Sequence, residues 1–178
     1  MKDLKQFNIQ YNGLKVASHL FEYQIDNTFF EAFNFDEFFN ANLKIELTLH
    51  KKSTMLELTF NASGTINVAC DVSGEPFDQE ITTTLPLIVN FGEEFNDENE
   101  ELLILPYSEF KLNVAQYIYE MIVLSIPTKR IHPKVIDGTL ESEALKRLDK
   151  LRVHEEKTAP DADPRWDKLK SLITEKKT

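Results

Sequence analysis

Leu43-Lys-Ile-Glu-Leu-Thr-Leu-His50, Leu56-Glu-Leu-Thr-Phe60 and Gly64-Thr-Ile-Asn-Val-Ala-Cys70 repeat one pattern, an apolar side chain at every second position. A period of two belongs to β-strands, whose successive side chains face opposite ways. Ile45, Leu47 and Leu49 therefore share one face, while Lys44, Glu46, Thr48 and His50 share the other. Asn61-Ala-Ser-Gly64 supplies turn residues, so the stretch reads as three sequential antiparallel strands, each with one wet face. A further strand or bent pair is expected from Phe77 to Phe91, with Pro86 at an edge or a bend. Upstream, Phe7–Tyr11 reads as a short strand, and Leu14–Ile25 alternates over most of its length. Between them and Leu43, Phe29, Phe30, Phe33, Phe35, Phe38 and Phe39 crowd one short segment. That segment is expected to plug one end of the core rather than to form a partner patch.

From Asn113 the period changes. Val114, Tyr117, Ile118, Met121, Ile122 and Ser125 fit one helical face, and Pro127 stops the helix. The segment is apolar nearly all round, which predicts a helix buried against the sheet. Residues Glu141–Arg152 form a charged amphipathic helix. Asp163 as N-cap and Pro164 at the first position open a terminal one, carrying Trp166, Leu169, Leu172 and Ile173 on one stripe. The expected fold is α+β: an antiparallel, curled or barrel-like sheet packed by one buried helix, with amphipathic C-terminal helices. Residues 1–128 are read as an acidic β-rich body including helix 113–126, and 129–178 as a basic helical extension of the same domain.

The 178 residues are enough for a sizeable core, and 42% apolar against 28% charged is ordinary for a soluble protein. No apolar run approaches the roughly 20 residues that span a bilayer, and the first residues lack an apolar signal region. Together with a single cysteine, Cys70, this predicts a soluble cytoplasmic protein without an intrachain disulfide. Charge is unevenly placed. Residues 1–128 hold 7 Lys+Arg against 20 Asp+Glu, a balance of −13, whereas 129–178 hold 13 against 10, a balance of +3. An acidic body with a basic tail suits nucleic-acid contact through the tail or pairing of the body with a basic protein.

Catalytic chemistry is sparse. The five glycines are isolated, so no phosphate-binding loop or dinucleotide fingerprint is present. Cys70 continues an apolar strand face beside Ile66 and Val68, the setting of an inert buried thiol. The four histidines have no ligand spacing, and one cysteine cannot complete a zinc site. Gly92–Glu101 holds six acids in ten residues but has no central glycine, so it reads as a solvated loop rather than a Ca²⁺ site. No enzyme activity, cofactor or metal is expected. Basic residues beside aromatics, the mark of single-stranded RNA binding, occur only in Thr128-Lys-Arg-Ile-His-Pro133 and around Arg165-Trp166.

Three elements, taken in order, resemble the YceD-like family of bacterial large ribosomal RNA subunit accumulation proteins. They are Gly64-Thr-Ile-Asn-Val-Ala-Cys70, the helix ending Val123-Leu-Ser-Ile-Pro127, and Asp163-Pro-Arg-Trp-Asp-Lys-Leu169. Ser73 stands where such proteins carry the second cysteine of Cys-x-x-Cys, and 134–158 holds no cysteine. A zinc role sometimes ascribed to the family is therefore not carried over. The resemblance implies a non-enzymatic cytoplasmic accessory factor for synthesis or accumulation of 23S ribosomal RNA. Its partner would be precursor RNA or a basic ribosomal protein, with the oligomeric state left open. Candidate RNA or partner contacts are Lys129, Arg130, Lys146, Arg147, Lys150, Arg152, Arg165, Trp166, Lys168 and Lys170. For Trp166, docking of the terminal helix is the favoured alternative. The candidate face for a basic partner is Glu93, Glu94, Glu98, Glu100 and Glu101, with Asp36, Glu37, Asp78 and Glu80 beside it. On that alternative the body chaperones a basic protein and never touches RNA.

Overall fold

The computed structural model describes residues 4–99 and 102–151. They fall into two compact units, Met1–Leu140 and one starting at Glu141. The terminal helix expected around Trp166 falls outside the described residues.

In the first unit, six strands form one sheet: β2 (Ser18–Asp26), β3 (Asn40–Lys51), β4 (Met55–Ala69), β5 (Pro76–Gly92), β7 (Leu102–Pro106) and β6 (Asn96–Asn99), in that spatial order. Neighbours are antiparallel except β5 and β7, which run parallel from Ile88↔Leu102 to Gly92↔Pro106. β1 (Asn8–Ile9) pairs separately with β8 (Leu112–Asn113). The two ends of the sheet, β2 and β6, do not pair, so it is open and the barrel-like expectation does not hold. The α+β class does.

Alternation places the core as expected. Ala41, Leu43, Ile45, Leu47 and Leu49 of β3 are buried, and so are Leu56, Leu58, Phe60, Ala62, Ile66 and Val68 of β4. Asn61–Gly64 is not a turn, however. Ala62 keeps the inward phase, and β4 runs unbroken for 15 residues, paired with β3 on one side and β5 on the other. Turn-forming residue types were overridden by a partner on each edge. Gly64 is what the strand needs there: its φ is +147°, and an added Cβ would stand 2.2 Å from the Asn42 carbonyl oxygen and 2.8 Å from the Leu43 Cα. Pro86 lies before the β7 pairing begins, where β5 has one neighbour, as its missing N–H requires.

A 3-10 turn at Leu4–Phe7 and three α-helices complete the described part of the unit. α1 (Asn27–Glu31) is capped by Asp26, whose carboxylate accepts from the Thr28 N–H at 2.9 Å. It opens the aromatic plug: Phe29, Phe30 and Phe38 are buried, and Phe33 stacks on Tyr119 at 4.4 Å between centroids. Phe39 is instead 63% exposed. α2 (Ala115–Leu124) buries Ala115, Ile118, Met121 and Ile122 on one face only; Gln116 and Glu120 are exposed, and Leu124 is 82% exposed. The helix is thus amphipathic rather than buried all round. α3 (Pro133–Ile136) follows it. In the second unit, α4 (Glu143–Leu151) is capped by the Ser142 hydroxyl, which accepts from the Leu145 N–H at 3.2 Å.

Candidate partner-binding surfaces

Lys129–His132, read from the sequence as a short basic–aromatic motif, folds back on the β4–β5 turn. The Asp71 N–H donates to the Arg130 carbonyl at 2.8 Å, and the Arg130 N–H donates to the Asp71 carboxylate at 2.6 Å. The Arg130 guanidinium lies 3.5 Å from Asp71 and 3.8 Å from Glu37. Arg130 is therefore committed to the body, while Lys129 is exposed. Glu37, a candidate for the basic-partner face, is likewise engaged within the chain.

The same corner holds Cys70, 3% exposed. Its sulfur accepts backbone N–H groups from Ser73 at 3.5 Å and His132 at 3.3 Å. His132 caps α3, its Nδ1 accepting from the Lys134 N–H at 3.0 Å, and its ring lies 5.3 Å from Phe77. One thiol and one imidazole beside a serine are poorer than the thiolate-rich donor sets of structural zinc. Among the described residues no three His, Cys, Asp or Glu side chains converge on a metal-sized space. The residues do not fit zinc; hydrogen bonds join the turn to 129–136.

Burial pushes the Cys70 thiol up, but the His132 and Ser73 hydrogen bonds outweigh it and bring it down to about 7 from 9.0. A depressed pKa stabilises the fold above the unfolded value, and that contribution is lost as pH falls through about 7. Relative to Cys70→Ser, stability should therefore rise between pH 7 and 9 by an amount on the order of 2 kcal/mol. Guanidinium unfolding of both proteins across that range checks this; parallel pH profiles would contradict it.

The other candidate cations lie on α4. Lys146 and Lys150 are spaced to share a face. Lys146 lies 3.4 Å from Glu141, and Arg147 pairs with Glu143 at 2.7 Å. Arg152, Arg165, Trp166, Lys168 and Lys170 lie outside the described residues, as do Glu100 and Glu101. The acidic stretch is exposed at Glu93, Glu94 and Glu98. It is not wholly a loop: Asn96–Asn99 forms the outermost strand, β6.

A groove beside α2 was not foreseen in the sequence. α2, β6, β7 and the 107–113 segment enclose a groove of about 580 Å³, lined by Phe95, Asp97, Leu105, Glu109, Lys111 and Tyr117 among others. A second hollow of about 370 Å³ adjoins it along α2, lined by Leu85, Glu120, Met121 and Leu124. Asp97, Gln116 and Tyr117 belong to both. Its framework is braced from the N-terminus. The Tyr11 hydroxyl donates to the Glu109 carbonyl at 2.7 Å, and Lys51 Nζ donates to the Tyr11 and Leu14 carbonyls at 2.8 and 2.9 Å. Burial pushes the Tyr117 phenol up, and the charges of Asp97 and Glu120 push it further. The available sequence signal was the apolar Phe95, Tyr107 and Phe110 set among acids; all three are more than half exposed.

The described fold is an α+β body: an open mixed sheet with helix α2 beside an apolar groove rimmed by acids. Residues 58–173 match the model of the large ribosomal RNA subunit accumulation protein YceD, and the chain belongs to that family. The match begins within β4 and covers the Cys70 corner, the groove strands and α2. No curated protein and no solved structure matches the chain. Among the described residues, no helix is long and apolar enough to cross a membrane.

Proposed function

We propose that this protein is a non-enzymatic accessory factor for accumulation of large-subunit (23S) ribosomal RNA, acting in the cytoplasm by holding a basic ribosomal protein. Family membership supplies the biological setting. The choice of a protein partner rests on one observation: exposed acids dominate the described body, Glu93, Glu94 and Glu98 among them, while Arg130 is held by Asp71 and Glu37. A surface of that sign repels phosphate and speeds encounter with cationic proteins.

Association with immobilised large-subunit ribosomal proteins tests the proposal. Binding should weaken with salt, and Glu→Gln at 93, 94, 98, 100 and 101 should slow association about tenfold. An unchanged on-rate would contradict it. Tight binding to 23S precursor RNA that falls steeply with ionic strength, with none to the proteins, would transfer the role to the basic C-terminal segment.

A further inference from the structure

We propose that the groove between α2 and the β6–β7 edge receives a basic amphipathic helix of the protein partner, apolar face inward and cations against Asp97, Glu109 and Glu120. This rests on the protein-partner function above and gives it a site. The shape suits a helix. The two hollows share Asp97, Gln116 and Tyr117 and so run together beside α2, and helix-in-groove recognition needs an elongated apolar trough.

The floor is apolar: Leu103, Leu105 and Leu112 line it and are at most 4% exposed. At the rim, Phe95 is 56% and Leu124 82% exposed, an unusual outlay of apolar surface beside a concavity. Charge names the occupant. Among the described lining residues the charged groups are Asp97, Glu109 and Glu120 against Lys111, so an apolar segment carrying lysine or arginine is complementary and a nucleic acid is not. Strand addition on β6 is disfavoured by its register irregularity and its acids.

The test uses the full chain and a labelled 18-residue peptide with leucine and lysine at helical spacing, followed by fluorescence anisotropy. Asp97→Asn, Glu109→Gln and Glu120→Gln together should weaken binding at least tenfold, and Gln116→Trp, which fills the groove from an exposed helix position, should do the same. A control triple away from the groove and from the other candidate acids, Glu22→Gln, Glu75→Gln and Asp137→Asn, all exposed, should change affinity less than threefold. Amide shifts on titration should centre on Leu103, Leu112 and Tyr117. Equal weakening by the control triple would overturn the groove while leaving capture of basic proteins by the acidic body intact. Failure of the peptide to bind, with self-association abolished by Gln116→Trp, would overturn it in favour of a second copy. Failure with neither would overturn the groove alone, since binding to ribosomal proteins is read independently.

Discussion

Replacing Gly64 with alanine is expected to destabilise the protein by about 3 kcal/mol or more, one of the largest effects available from a single methyl group. Two costs combine. At φ +147° an L-residue is strained, and the new Cβ would meet the β3 backbone at 2.2 Å. Neither relaxes cheaply, because Gly64 sits mid-ladder opposite both Leu43 and Ile81, and backbone cannot swing aside as a side-chain tip does. Urea unfolding should show the loss, with a melting temperature lower by about 6–12 °C for a chain of this size. Gly13→Ala is the control: nothing lies within 4 Å of its added Cβ, and the change should stay within about 0.5 kcal/mol. A Gly64→Ala protein as stable as that control would show that β3 and β4 are not as closely paired as described. The glycine that opens the family-like Gly-x-apolar-x-apolar-x-Cys stretch thus has a steric reason to be there.

Gly64 also marks where sequence reasoning stopped short. The inward and outward faces around Leu43–Cys70 were legible because a period of two survives wherever one face is buried. The turn expected at Asn61–Gly64 is continuous strand instead, because residue type reports a local preference, whereas β3 and β5 clamp those residues from both sides. α2 was legible from its apolar spacing and Pro127, but its wet side was not, because Leu124, 82% exposed, looks as apolar as Ile118. β7 escaped notice: Leu102-Leu-Ile-Leu has no alternation, and its parallel pairing with β5 is a long-range event no local pattern announces.

The candidate site divides the same way. Surplus negative charge in the body could be counted, and so could the lone cysteine. What the counts could not give was placement. Arg130 looked available for phosphate and is taken by Asp71 and Glu37. Asp97, Glu109 and Glu120, separated along the chain, meet around one trough only because β6, β7 and α2 are neighbours.

Cys70 shows how a departure from the family-like pattern can be accommodated. With Ser73 and His132 donating backbone N–H groups to one sulfur, the corner is held by hydrogen bonds at a thiol whose pKa has come down to about 7. The turn and segment 129–136 stay joined, and with them the end of α2 that borders the groove.

Depletion of the protein should selectively lower 23S ribosomal RNA. A factor that holds a basic large-subunit protein acts before that protein is installed, and precursor RNA left without it is exposed to degradation. On the proposed function small-subunit RNA has no such dependence, so the 23S to 16S ratio separates the effect from a general change in growth. Restoring wild-type protein should return the ratio to its starting value, whereas the chain neutralised at Glu93, Glu94, Glu98, Glu100 and Glu101 should restore it only in part. The decisive measurement is that ratio in fully depleted cells: a selective fall in 23S is the predicted result, and an unchanged ratio would contradict the proposed function.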